Sequence, residues 1–186
     1  MSDSVIVWLA IAALLFWALG AYNRLMRLRS QSIAAFLALE GLLSQYLLLV
    51  KTHFPQGGVA DAAHSPMPGN ELTSAAWAGL AAAAEQFSAS LKVARAQPLN
   101  GPTTGALQTA LETLRLSWAR LQDLPPDLAG PVLPATLQSQ WEHVTLQVKL
   151  AQTEFNNTVT NYNEAISQFP AFLLAWVFGF KPAQPV

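Results

Sequence analysis

LQSQWEHVTLQVKLAQTEFNNTVTNYNEAISQF, residues 137–169, is the stretch that decides the fold, because its apolar residues recur with a regular helical spacing. The intervals alternate between three and four residues, which places these side chains along one side of an α-helix. A face of this kind packs against other helices in a bundle. The pattern therefore predicts a long helix whose buried seam consists of Leu137, Trp141, Val144, Val148, Ala151, Phe155, Val159, Tyr162, Ile166 and Phe169.

Two shorter stretches before it carry the same spacing. Residues 71–96 are rich in alanine, and the predicted face of this helix is Leu80, Ala84, Phe87, Leu91 and Ala94. After a break at residues 97–102, a further helix is predicted with the face Leu107, Leu111, Leu114, Trp118 and Leu121. Glycine and proline in residues 54–70 and prolines in residues 123–134 predict loops at those places. No β-type alternation of any length occurs, so the fold class is all-α.

The N-terminal stretch, residues 5–21, contains neither a charge nor a proline. With one flanking residue on each side it is about 19 residues long, which matches the hydrocarbon thickness of a bilayer. It predicts one transmembrane helix over residues 5–22. Arg24, Arg27 and Arg29 follow the span, so the positive-inside rule places the short N-terminus outside and the remaining chain in the cytoplasm. The alternative is a cleaved signal peptide with a small-residue site at residues 18–21, but the basic region that precedes such peptides is missing.

A second apolar stretch, residues 33–50, has Glu40 as its one charged residue and could by hydropathy be another span. Its apolar residues nevertheless follow the bundle spacing, which favours a buried helix that continues from the transmembrane helix. The predicted seam is Phe36, Leu39, Leu43, Tyr46, Val50 and His53. The alternative, a hairpin of two spans, would return the domain to the side of the N-terminus.

Composition and charge restrict the function. Hydrophobic residues make up 52% of the 186 residues and charged residues 11%, whereas soluble domains carry about a quarter charged residues; lipid or a large interface must therefore cover part of the surface. A net charge of −1 without a basic stripe argues against a nucleic-acid partner. Cysteine is absent, and His53, His64 and His143 have no metal-ligand spacing. Phosphate loops and nucleophile motifs are also absent. We therefore expect no cofactor, no metal and no enzymatic activity.

The order of the helices has a geometric consequence. Short connections favour antiparallel neighbours, so an N-terminal transmembrane helix would continue into an antiparallel four-helix-type bundle. The predicted organisation is a short N-terminal tail over residues 1–4, the transmembrane helix over residues 5–22, the bundle domain over residues 23–169 and an apolar, membrane-proximal tail over residues 170–186. The last bundle helix then ends at the bilayer from which the first one departs.

FPAFLLAWVFGFKP, residues 169–182, would lie at this membrane end. It is too short to span a bilayer as a helix, and tryptophan and lysine are suited to the headgroup region. Pro170 is expected to end the long helix and Gly179 to allow a tight turn. The alternative is a hydrophobic lid on the bundle, and both arrangements can hold together. The predicted membrane-interface residues are Arg24, Arg27, Arg29, Phe172, Trp176, Phe178, Phe180 and Lys181.

Two segments resemble the LemA family. FNNTVTNYNEAISQFPAFLLAWVFGFKP, residues 155–182, is similar to the C-terminal signature of that family, and AYNRLMRLRS, residues 21–30, is similar to the segment after its membrane helix. The motif residues are Tyr22, Asn23, Tyr162, Asn163, Phe169, Pro170 and Gly179. Residues 33–50 depart from the family pattern because they are nearly uncharged. The resemblance implies a membrane-anchored antiparallel helical bundle and implies no particular reaction.

Three functions are compatible with these features. The first is a scaffold or assembly protein of the inner membrane, with copies of itself or another membrane protein as partner. The second is a membrane-surface sensor or remodelling module that uses the C-terminal aromatic run, with membrane lipid as partner. A ligand-binding bundle ranks last. We further hypothesise that the Tyr22-Asn23 and Tyr162-Asn163 pairs hydrogen-bond to each other across the helices.

Overall fold

A computed structural model describes residues 2–53, 68–125, 133–169 and 171–186. Five helices lie in these ranges: α1 (Ser2–His53), α2 (Pro68–Ala96), α3 (Gly101–Gln122), α4 (Ala135–Ser167) and α5 (Ala171–Phe178). The described ranges contain no strand, which confirms the all-α fold class. The greater part of the predicted 54–70 loop and the middle of the predicted 123–134 loop lie outside the described residues, as do His64 and Pro170.

Helix α1 is continuous over its 52 residues and joins the two apolar stretches without a turn. Phe36, Leu39, Leu43 and Tyr46 are fully buried, so the predicted seam of the second stretch is the core face of a bundle helix. The alternative of a two-span hairpin is wrong, because the chain does not reverse between the two stretches. The N-terminal transmembrane-type helix therefore continues directly into the bundle, as predicted.

Helices α1 and α4 are antiparallel neighbours. Near the middle of the pair, the rings of Phe36 and Phe155 meet edge to face with 5.6 Å between their centroids. Farther along α1, the Tyr46 hydroxyl donates to Thr145 Oγ1 over 2.9 Å and its ring lies 4.5 Å from that of Trp141. Residue numbers rise along α1 as they fall along α4, which confirms the antiparallel arrangement.

Helices α2 and α3 form a hairpin that packs on α1 through α2. Residues 97–100 connect them, and Pro102 occupies the first turn of α3, where a missing N–H has no cost. Arg95 at the end of α2 lies 3.6 Å from Glu40 on α1. Trp118 on α3 stacks on Trp141 of α4, with centroids 4.1 Å apart and an interplanar angle of 7°. The helices are neighbours in the order α4, α1, α2, α3. The stacked tryptophans bring the first and the last of this series, α4 and α3, into contact.

The predicted faces of α2 and α3 are buried at every position named above. On α4 the predicted seam is buried from Leu137 to Ile166 except at the half-buried Ala151. Phe169, in contrast, is 82% exposed, and the helix stops at Ser167. Gln168 is extended, with ψ of 136°. This extended residue turns the chain out of the helix, so Phe169 no longer follows the helical spacing and its assignment to the seam was wrong. Phe169 itself precedes a proline in the sequence, and that position disfavours the helical conformation.

Candidate membrane-facing site

The N-terminal part of α1, residues 5–19, is largely uncovered by the rest of the described chain, and we call it the bare part of α1. Its described apolar side chains over residues 5–19 are largely exposed, including Trp8 at 71% and Phe16 at 80%. Within the described residues α1 is the one helix that is long and apolar enough to cross a membrane, by its length and its composition. Exposed apolar surface on this scale is typical of a region that lipid or another protein covers. The described part of the chain thus contains one helix, near the N-terminus, that could span a membrane.

Cationic side chains follow the bare part of α1. Arg24, Arg27 and Arg29 are exposed within the first turns that enter the bundle. Among the described side chains none of the three forms an ion pair. They are therefore free to meet anionic groups at the level where the apolar surface ends.

Helix α5 lies beside this part of α1. The ring of Tyr22 contacts the ring of Phe178 at 5.0 Å and that of Phe180 at 6.2 Å. Ala175 is buried, while one set of apolar side chains on α5 is more than half exposed: Phe172, Leu173, Trp176, Val177 and Phe178. The helix thus covers the base of the bundle with one side and leaves an apolar surface on the other. Lys181 beyond it is exposed.

A tight turn at Gly179 ends α5. Gly179 has φ of 68°, a left-handed conformation that favours glycine. The Phe180 N–H donates to the Ala175 carbonyl over 2.9 Å, and the Gly179 N–H donates to the Trp176 carbonyl over 3.4 Å. This pair of bonds is a Schellman motif, which satisfies the last helical carbonyls. The turn predicted at Gly179 is confirmed, and it sends the chain back toward α4.

The last residues are held to α4 by a set of hydrogen bonds that we call the C-terminal clamp. Asn163 donates from Nδ2 to the Ala183 carbonyl over 2.8 Å and accepts the Ala183 N–H at Oδ1 over 2.9 Å. Asn156 forms the same pair of bonds with Val186, at 3.0 Å and 2.9 Å. The Tyr162 hydroxyl donates to the Lys181 carbonyl over 3.1 Å. Three side chains of α4 therefore fix the backbone of residues 181–186.

The distance between the two clamp asparagines along α4 matches the distance between the two residues that they bind in the C-terminal segment. Asn156 and Asn163 are two helical turns apart, which is about 10.5 Å along α4. Ala183 and Val186 are three residues apart in a proline-rich extended segment, which spans roughly 9.3 Å. Pro182 and Pro185, which lack an N–H, occupy positions that the clamp does not use as donors. The clamp thereby fixes the chain that follows α5, while the N-terminal end of α5 follows closely on the end of α4.

The clamp replaces the predicted bonding between the two Tyr-Asn pairs. That hypothesis was wrong, because Tyr162 and Asn163 bond to the C-terminal backbone. Tyr22 instead contributes its ring to the aromatic contacts with α5, and Asn23 is exposed. The role of Asn156 was missed in the sequence, because its two-turn spacing from Asn163 does not indicate which backbone groups the two amides bind.

Tyr162, the third side chain of the clamp, carries a titratable hydroxyl. Burial raises the pKa of the phenol, and the positive charge of Arg29 opposes that rise in part. A tyrosine hydroxyl is protonated at neutral pH even at its ordinary pKa of 10.0, and the raised pKa extends its protonated range to higher pH. It therefore remains a hydrogen-bond donor to the Lys181 carbonyl.

A crevice of about 350 Å³ lies between α1 and the junction of α4 with α5. We call it the interfacial crevice. It begins in the bare part of α1 and ends at the first arginine. Its walls include Trp17, Gly20, Ala21 and Arg24 of α1 together with Gln168 and Phe169 of the junction. The space is therefore apolar at one end and cationic at the other.

The described residues contain no group of histidine and acidic side chains that could hold a metal ion. Glu142 and His143 on α4 are both exposed, and His143 meets Gln147 over 3.1 Å.

The family model of the LemA family matches residues 77–186, which is more than half of the chain. The matched region includes α5, Gly179 and the whole C-terminal clamp. Residues 21–30 lie outside it, so their resemblance to the family stays a prediction. No curated protein and no solved structure matches the chain at a significant level. The family is not known as an enzyme family. The chain belongs to the LemA family.

Proposed function

We propose that this protein is a self-associating, membrane-anchored scaffold with an assembly role at the inner membrane. The observation that carries the proposal is the unbroken α1, which is bare in its N-terminal part and forms the bundle core in its C-terminal part. A continuous helix couples the orientation of the bundle to that of the span. The arginines after the span favour a cytoplasmic bundle and an N-terminus outside.

Exposed leucines on the bundle support self-association. Leu146 and Leu150 are 62% and 74% exposed and lie one turn apart on α4. On the neighbouring α1, Leu37 and Leu48 are 45% and 63% exposed. Large apolar side chains that remain exposed on a folded domain are candidate contacts with a partner where they lie together, as Leu146 and Leu150 do. A second copy of the chain, or another membrane protein with a low charge density, fits such a surface.

This proposal predicts that Leu150→Glu reduces the size of the detergent-extracted particle. Wild type should elute with a protein mass that is a multiple of 20.1 kDa, measured by light scattering coupled to size exclusion. A charge placed in an apolar interface opposes association because it must be desolvated. We expect the variant to shift at least about tenfold toward the monomer, which corresponds to roughly 1.4 kcal/mol.

Thr109→Glu is the matched control for that experiment. It adds the same charge at an exposed polar position on α3, a helix that carries none of these four leucines, and should leave the particle size unchanged. A wild-type mass of a single chain at all concentrations would contradict self-association. Equal effects of the two glutamates would assign the change to net charge rather than to the leucine surface.

A second function is favoured by the exposed side of α5. Phe172, Trp176 and Val177 are 54%, 77% and 65% exposed at the end of the bundle where the bare part of α1 begins. Aromatic and apolar side chains at this level bind the headgroup boundary of a bilayer. The corresponding proposal is a module that senses or remodels the membrane surface through α5.

A further inference from the structure

We propose that the interfacial crevice binds one anionic phospholipid, with the phosphate at Arg24 and an acyl chain along Trp17 and Gly20. The inference rests on the membrane anchoring in the proposed function and goes beyond it by naming a ligand and a binding site. The crevice has a volume of about 350 Å³. That volume lies at the lower end of ligand sites and suits part of a lipid molecule.

The position of the crevice along α1 matches the polarity profile of a phospholipid. Trp17 belongs to the bare apolar part of α1, and Arg24 is the first cation after it. The two are two helical turns apart, which is about 10.5 Å. A ligand that lies along this wall must therefore change from apolar to anionic over the same distance, as a phospholipid does between its acyl chains and its phosphate.

Local charge favours an anion. Arg24, Arg27 and Arg29 are exposed, and α1 contains no acidic residue between Asp3 and Glu40. On the opposite wall, Glu164 is one turn before Gln168, and its side chain is exposed. The cations outnumber this one carboxylate. Guanidinium groups bind phosphate oxygens through charge-assisted hydrogen bonds, and two parallel bonds are common.

Gly20 keeps the apolar end of the crevice open. A Cβ built at Gly20 meets no atom within 4 Å, and Gly20 lines the crevice, so a side chain at this position starts in open space on the crevice wall. A Cβ built at Gly41, on an exposed part of the same helix outside the crevice, also meets no atom within 4 Å. Two glycines in comparable free space, one inside the crevice and one outside, provide a matched pair for a test.

The test is native mass spectrometry of the full chain released from detergent after equilibration with phosphatidylglycerol or with phosphatidylcholine of the same acyl chains. We expect one phosphatidylglycerol to be retained per chain and phosphatidylcholine to be lost. Arg24→Gln removes the phosphate contact and Gly20→Leu fills the crevice. Each should weaken retention by at least about tenfold.

Two controls leave the crevice intact. Arg27→Gln removes the same charge from a side chain that does not line the crevice, and Gly41→Leu adds the same volume outside it. Both should retain phosphatidylglycerol within about twofold of wild type. Equal losses for Arg24→Gln and Arg27→Gln would overturn the proposal in favour of general attraction to the arginines. Displacement of the lipid by excess glycerol phosphate would also overturn it, since the site would then bind a free phosphate.

The particle mass from light scattering separates this proposal from the scaffold proposal. A variant that loses lipid at unchanged particle mass supports a lipid site that is independent of assembly. A wild-type chain that assembles but retains neither lipid contradicts the crevice proposal and leaves the scaffold proposal intact.

Discussion

Trp141→Ala is expected to lower the free energy of unfolding by about 3–5 kcal/mol. Trp141 is 5% exposed and lies between Tyr46 of α1 and Trp118 of α3, with ring centroids at 4.5 Å and 4.1 Å. Removal of the indole leaves a cavity and eliminates two aromatic contacts. The stacked pair also joins α3 to α4, so the substitution removes this contact between the two helices.

Urea unfolding of the full chain in mild detergent, followed by circular dichroism, measures this loss. Trp176→Ala is the matched control, because its side chain is 77% exposed and the same substitution should change stability by at most about 0.5 kcal/mol. Equal changes for the two variants would contradict the placement of Trp141 in the core.

Asn163→Ala is expected to release the C-terminal clamp. The substitution removes two hydrogen bonds at 2.8 Å and 2.9 Å and leaves both backbone groups of the buried Ala183 without their partner. Unsatisfied groups of this kind cost roughly 1–3 kcal/mol. Because the clamp holds the chain after Gly179, release should also loosen α5 from Tyr22.

Hydrogen exchange measures the release. Amide protons of residues 171–186 should exchange at least about tenfold faster in Asn163→Ala, as expected for a loss near 1.4 kcal/mol, while those in the middle of α2 should remain unchanged. Asn157→Ala is the control, since Asn157 is an exposed asparagine on the same helix. Unchanged exchange in residues 171–186 would show that the clamp does not hold the tail.

Periodicity was sufficient to predict the bundle helices over residues 33–50, 71–96, 103–121 and 137–166 and nearly all of their buried faces, but it did not predict α5. Leu80, Phe87, Leu107 and Leu114 are buried because a spacing of three and four residues places them on one side of a helix. That signal is local in sequence. It also distinguished the bundle helix over residues 33–50 from a second span, a question that mean hydropathy alone leaves open.

The clamp could not be predicted in the same way. It joins Asn156 to Val186 and Asn163 to Ala183 through backbone groups, and backbone groups have no residue-type signature. The error at Phe169 has a related origin, because the apolar spacing continues past the residue at which the helix ends. The interfacial crevice depends on how closely α1 approaches the α4–α5 junction, which the spacing of apolar residues does not specify.

Membrane contact by α5 is tested most directly with a nitroxide on a single cysteine at Val177, in a chain that has no native cysteine. The labelled protein is reconstituted into bilayers, and collision with oxygen is compared with collision with a water-soluble nickel chelate. Reference labels are placed at Leu14 in the bare part of α1 and at Glu142 on the exposed side of α4. If α5 lies at the bilayer, the Val177 label is oxygen-accessible and protected from nickel, as at Leu14. Nickel accessibility at Val177 equal to that at Glu142 would contradict the return of the bundle to its own membrane.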